Sequence, residues 1–149
     1  MTGEVKPMPE GYHTVTPVLM VAGAAKLIEF LKQAFDAREK DRFTDPTGKI
    51  AHAEVTIGNS VVQLSDAMGE WKPIEASLLL YVTDTDATYE KALKAGATSL
   101  REPADQFYGD RTGGVKDFCG NSWWIATHTE DVSREELRRR AEAQWKRKG

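Results

Sequence analysis

"GNSVVQLSD" occupies residues 58–66, and "GNSWWIATH" occupies residues 120–128. Both begin with Gly-Asn-Ser, common turn chemistry, and both continue in residues that suit a strand. Three shared residues alone could recur by chance. The elements around them recur too. Ahead of the first copy, "HTVTPVLMV" (13–21) reads as a strand rich in β-branched residues. "GAAKLIEFLKQAFDA" (23–37) then places Ala24, Leu27, Ile28, Leu31 and Phe35 at helical spacing, which predicts an amphipathic helix. "KDRFTD" (40–45) is a short strand leading into the turn "DPTGK". "KIAHAEVTI" (49–57) alternates, with Ile50, His52, Glu54 and Thr56 on one face and Ala51, Ala53, Val55 and Ile57 on the other. With "VVQLS" returning after the turn, the unit is βαβββ.

The second copy has the same order. "ASLLLYVTD" (76–84) is a strand, and "DATYEKALKAGA" (86–97) is a helix stopped by Gly96. Two further strands, at about 114–118 and 122–127, flank the second Gly-Asn-Ser. At an offset of 61 the helices register, Val21 on Val82, Ile28 on Tyr89, Glu29 on Glu90 and Ala34 on Ala95. The fold class expected is therefore α+β, two βαβββ modules at residues 11–68 and 75–130 within one domain, 11–130. Residues 1–10 hold two prolines and no periodicity, and read as a flexible arm. Residues 131–149 form a C-terminal helix. Ser133 and Glu136 make a capping box, and Leu137, Ala141 and Trp145 form a narrow apolar stripe suited to docking on the domain or on a partner subunit.

Composition narrows the class. A chain of 149 residues, 40% hydrophobic and 29% charged, is the size and make-up of one soluble domain. A net charge of −3 argues against a nucleic-acid partner. There is no apolar run to span a bilayer and no signal peptide, so a cytoplasmic location is expected. A lone Cys119 makes no internal disulfide and reads as a partly buried structural thiol.

The paired modules resemble the vicinal oxygen chelate superfamily, which includes glyoxalase I, bleomycin-resistance proteins and extradiol dioxygenases. "IAHAEVTIGNSVVQLSD", "ADQFYGDR" and "GNSWWIATHTEDV" are similar to segments of its PhnB-like branch. One local departure is "DFCG" (117–120), with Phe118 where that family commonly has proline. The resemblance implies curved mixed sheets around a concave cavity, and a homodimer.

It also implies a test for metal. Metal-dependent members place His, Glu or Gln near the start of the first strand and on the last strand of each module, because a divalent ion needs converging nitrogen or oxygen donors. Here those positions are Thr16, Gln63, Ser77 and Trp124. One neutral amide does not hold a metal, and an indole offers no lone pair. The turns align one residue further on, which would set Gln63 against Ile125 and turn Trp123, not Trp124, to the cavity. The helix register is preferred. His52 with Glu54, and His128 with Asp131, are polar pairs that lack the further donors of a metal site. In the "QFYGDR" loop, Tyr108 and Arg111 either reach the cavity mouth to bind an aromatic or anionic ligand, or brace the loop.

The expectation is a protein without metal or other cofactor. It holds a small organic ligand through His52, Glu54, Gln63, Trp124, Tyr108, Arg111, Thr16 and Ser77, as bleomycin-resistance proteins sequester theirs. Whether it catalyses a reaction is left open. The alternatives are a divalent-metal-dependent lyase, isomerase or dioxygenase with non-standard ligands, and an assembly role with a vestigial pocket.

Overall fold

Seven apolar side chains of α1 (Ala24–Phe35) are buried, and they cover one face of a four-stranded sheet. A computed structural model describes residues 3–148. Met1 and Thr2 of the expected arm, and Gly149 at the end of the expected helix, lie outside the described residues. The chain divides after Ala76 into two compact units.

The first unit contains β1 (Val18–Val21), α1, β2 (Arg38–Thr44), β3 (Ile50–Ile57) and β4 (Ser60–Asp66), with the sheet order β1-β4-β3-β2. β1 lies parallel to β4, and the other neighbours are antiparallel. The second unit repeats this with β5 (Ser77–Tyr81), α2 (Thr85–Lys94), β6 (Thr98–Asp105), β7 (Asp110–Lys116) and β8 (Ser122–His128), in the order β5-β8-β7-β6. α3 (Arg134–Lys148) follows. The architecture is the α+β arrangement of two βαβββ modules with a C-terminal helix. Among the described residues no helix is long and apolar enough to cross a membrane.

Pairing across the two sheets settles which residues are equivalent. Gln63 pairs with Val18, and Trp124 pairs with Leu79, so both strands repeat at the offset of 61. The two Gly-Asn-Ser stretches nevertheless form different loops. In the first, Ile57 pairs with Ser60, leaving Gly58 and Asn59 as a two-residue turn with Gly58 at φ 58°, the sign a primed hairpin needs at its first central residue. In the second, Lys116 pairs with Ser122, and residues 117–121 form a longer loop. That loop is wound around buried Asp117, whose carboxylate accepts from the Cys119 and Asn121 backbone N–H groups and, at 2.7 Å, from Trp123 Nε1. The extra loop residues explain why turns and strands gave different offsets.

α1 and α2 are each pinned at the start by the last strand of their own unit. Asp66 Oδ1 accepts from Gly23 N at 3.0 Å and Ala24 N at 2.9 Å, while Oδ2 accepts from Ile50 N at 2.8 Å. The carboxylate thereby serves as a cap borrowed from β4. In the second unit Thr127 Oγ1 accepts from Thr85 N at 3.0 Å and donates to Val82 O at 2.8 Å. Asp84 adds a local cap, accepting from Ala87 N at 3.1 Å.

Several local expectations change. The first strand begins at Val18, not His13; Pro17 has no N–H to give a ladder, and Thr16 bonds back to His13 O at 3.2 Å in a turn. Ile50 is buried and Ala51 exposed, the reverse of strict alternation, because β3 shifts register against β2 between Phe43 and Thr44. β6 was not legible, being an almost wholly exposed edge strand that carries Pro103 and two register shifts. β7 starts at Asp110, so Asp110 and Arg111 belong to a strand rather than a loop. In α3, Ser133 caps Glu136 N at 3.1 Å, but the Glu136 carboxylate turns to Arg139 and Arg140. No α3 residue is fully buried.

Burial pushes the Asp66 carboxyl up, but the donors Ala24, Ile50 and Gly23 outweigh it and hold the group below its ordinary value of 3.8. A depressed folded value means stability that is complete above the unfolded value and lost as pH falls through the folded one. Asp66→Asn is therefore expected to lower unfolding free energy at pH 7 by about 1–3 kcal/mol, and to flatten the acid arm of the stability curve below about pH 4. Denaturant titrations of both proteins from pH 7 to pH 2 check this; an unchanged acid arm rejects it.

Candidate functional site

Each sheet buries one face beneath its helix and presents the other. In the first unit Val55, Val62 and Leu64 are buried on the helix side, whereas His52, Glu54 and Gln63 lie half-buried on the open face. Cross-strand pairing sets Glu54 beside Gln63. Tyr12, which precedes β1, closes the group: its hydroxyl donates to Glu54 Oε1 and accepts from Gln63 Nε2 at 3.1 Å. His52 Nε2 stands 3.7 Å from Glu54 Oε1, Lys40 lies 5.5 Å above the Tyr12 ring, and Phe43 lies 6.3 Å from the His52 ring. The hydrogen bond from Tyr12, with help from Lys40 and His52, holds the Glu54 carboxyl below its ordinary value against the effect of burial. Burial and the Glu54 carboxylate push the Tyr12 phenol up.

In the second unit the helix side of β8 carries Trp123 and Ile125, both fully buried. Trp124 takes the opposite, open face, as the helix register predicts. Its Nε1 donates to Ser77 Oγ at 3.2 Å, and the Arg101 guanidinium lies 5.1 Å from its ring centroid. The indole rests on Gly114, where a Cβ would collide with its six-membered ring. The residue beneath the ring must therefore be glycine for the ring to lie there.

Further along the same face is a second cluster. Tyr81 OH donates to Asp110 Oδ2 at 2.7 Å, Asp110 Oδ1 meets His128 Nδ1 at 2.8 Å, and His128 Nε2 meets Asp131 Oδ1 at 2.7 Å. Asp110 and Asp131 raise the His128 pKa above 6.5. Burial pushes the Asp110 carboxyl up, but His128 and Tyr81 reverse this and leave it lowered. To reach β7 from β5, Tyr81 crosses β8 at Ala126, which is fully buried. Thr112, paired with Ala126, carries the only buried side-chain polar atom without a hydrogen-bond partner among the described residues.

The residues singled out in the sequence thus fall into separate groups. His52, Glu54 and Gln63 stand together. Trp124 and Ser77 stand together. Thr16 is half-buried, with its hydroxyl engaged by His13. Arg111 is held by Asp86 at 2.9 Å and Asp105 at 3.3 Å, an ion-paired brace between β7, β6 and the start of α2. Tyr108 is partly exposed, its ring edge-on to Phe107 at 5.3 Å. Tyr12, Arg101 and Tyr81 went unrecognised in the sequence, because their partners lie tens of residues away and no local spacing marks them.

The donor set does not fit a metal. Gln63 donates its amide N–H to Tyr12, Trp124 donates to Ser77 and has no lone pair, and Thr16 bonds within its own turn. Among the described residues no three His, Cys, Asp or Glu side chains are grouped so as to hold an ion.

A sequence model of the Glyoxalase/Bleomycin resistance protein/Dioxygenase superfamily matches residues 12–125. The chain is 36% identical over 134 residues to the uncharacterized proteins Mb0911c of Mycobacterium bovis and Rv0887c of Mycobacterium tuberculosis, covering 83% of this chain and 88% and 79% of theirs. Among solved structures, TioX from Micromonospora sp. ML1 is similar with a TM-score of 0.66 at 21% identity, over 76% of this chain and 96% of that one. A PhnB protein from Bacillus cereus has a TM-score of 0.64 at 18% identity, over 77% of this chain and 99% of that one. At these identities the structural likeness is one of fold.

The two neighbouring indoles should respond differently to substitution. Trp123→Phe removes buried area and the bond to Asp117, and is expected to cost on the order of 2–4 kcal/mol. Trp124→Phe should stay within about 0.5–1 kcal/mol of the parent. Thermal and denaturant unfolding of both variants checks the assignment of faces; a reversed order rejects it.

Proposed function

The chain belongs to the Glyoxalase/Bleomycin resistance protein/Dioxygenase superfamily, and within it we propose a member that binds a small organic molecule without a metal ion. The observation that carries this reading is Trp124. At a position where the resemblance implies a metal ligand stands an indole laid on Gly114 and steadied by Ser77 and Arg101. An aromatic surface held in place by its neighbours loses little entropy when a flat ligand settles on it, and ring–ring contact adds about 0.5–1.5 kcal/mol beyond area burial. Ser77 contributes polar contact on this face. On the first unit, taken by itself, Tyr12, His52, Glu54 and Gln63 form a polar cluster on the open face.

The chemistry of these side chains suits recognition rather than metal-assisted isomerisation. The His, Glu or Gln set needed to polarise a substrate oxygen is absent from the equivalent positions. The purified protein is expected to show no isomerisation of the methylglyoxal–glutathione hemithioacetal with added nickel or zinc. Metal-stimulated turnover would overturn the reading. Cytoplasmic location is part of the proposal, on the ground of the single cysteine and the absence of a helix fit to span a membrane among the described residues.

We further propose a homodimer. Leu137 and Ala141 on α3 are half-buried and Trp145 is 67% exposed, which leaves an apolar stripe for a second copy to cover. Arg140 anchors α3 to Phe107 O at 3.1 Å and Glu130 at 2.7 Å, so the stripe is presented in a set orientation. Light scattering at micromolar concentration should give about twice the 16.6 kDa chain mass; a monomer rejects the dimer and leaves the binding reading standing.

A further inference from the structure

We propose that the ligand of the Trp124 face is a planar organic acid, its flat body on the indole and its carboxylate on Arg101. This rests on the reading of Trp124 as a binding surface and adds the ligand's charge and orientation.

Cross-strand pairing lays out one row of residues from edge to edge of the second sheet. Leu79 on β5 pairs with Trp124 on β8, Trp124 with Gly114 on β7, and Gly114 with Arg101 on β6. Four strands at about 4.8 Å spacing give a row of about 14 Å. Its chemistry changes in one direction. Leu79 is 53% exposed and apolar. Trp124 is aromatic, Gly114 has no side chain and is overlain by the indole, and Arg101 is cationic. A molecule with an apolar planar body and an anion at one end matches that gradient along its length.

Arg101 is the deciding residue. Arg42, Arg111 and Arg140 each hold a carboxylate within 3.3 Å. Arg101 has none among the described residues, although Glu102 and Asp105 lie on the same strand. It lies instead over the Trp124 ring. A guanidinium held near an aromatic ring spends none of its N–H donors on that contact, and the planar fork is suited to a bidentate carboxylate. The corresponding row of the first sheet runs Val18, Gln63, Glu54, Asp41 and ends on acids. Only the second row offers a cation to an organic acid.

The test compares 2-naphthoate with the isosteric neutral 2-naphthamide by titration calorimetry at pH 7, on the full chain and on Arg101→Gln, Arg101→Lys and Trp124→Ala. Naphthoate should bind the parent roughly tenfold or more tightly than naphthamide, the worth of one charge-assisted pair. Arg101→Gln should abolish that preference, whatever it does to the two affinities together, and Arg101→Lys should keep part of it. Equal binding of the two probes by the parent, or a preference that survives Arg101→Gln, overturns the organic-acid inference. If Trp124→Ala still weakens both probes in that case, the aromatic binding surface stands. Failure of both probes to bind, or binding indifferent to Trp124→Ala, overturns the surface and this inference with it.

Discussion

The structure depends on an oxygen atom at the end of the last strand of each unit. Asp66 in β4 and Thr127 in β8 occupy equivalent places, and each takes the first backbone N–H of its own unit's helix, from Ala24 and from Thr85. A helix start has N–H groups with no partner inside the helix, and these are costly to hide. Supplying the acceptor from a distant strand fixes where the helix begins and how it crosses the sheet. It also sets the register of β1 with β4 and of β5 with β8, because the capping oxygen must arrive at the right height. Once that height is set, alternation decides which side chains go under the helix and which stay on the open face. Trp123 inside and Trp124 outside follow from it.

Much of this was legible in the sequence, and the reasons for the rest are physical. The repeated order of elements, the helix α1 and the face taken by Trp124 all come from periodicity, which is a local property. The offset of 61 holds for β1 with β5 and for β4 with β8, whereas the Gly-Asn-Ser echo misleads, since one copy is a two-residue turn and the other part of a loop around Asp117. β6 escaped notice because an exposed edge strand has no buried face to impose alternation, and its charges and Pro103 look like a loop. Ile50 and Ala51 exchanged faces at a register shift, which no alternation rule can register. Within the site, His52, Glu54, Gln63, Ser77 and Trp124 could be placed on strand faces. Tyr12 and Arg101 could not, because one precedes β1 and the other lies on the unrecognised edge.

The two open faces have diverged in kind. The first is a hydrogen-bonded chain, in which the Tyr12 hydroxyl donates to Glu54 and accepts from Gln63. Groups already satisfied in this way are specific, since a ligand must offer as good a partner to replace one. The second face is open at one end, with a cation whose polar edges are unspent. A single duplicated plan thus carries one face of hydrogen-bonded polar groups and one with an aromatic ring beside a cation. The buried, unpartnered Thr112 hydroxyl lies on the second face, beneath the line that Tyr81 takes across β8.

Gly114 has a consequence for how this protein could change over time. The space the indole occupies is the space a side chain at 114 would need. The two positions are therefore coupled in their order of change: 124 can shrink while 114 stays glycine, but 114 cannot grow while the Trp124 indole keeps its present place. A lineage that keeps this backbone must first give up the indole's present place before it can fill the gap from below. The route is directional, and the missing side chain acts as a ratchet on the site.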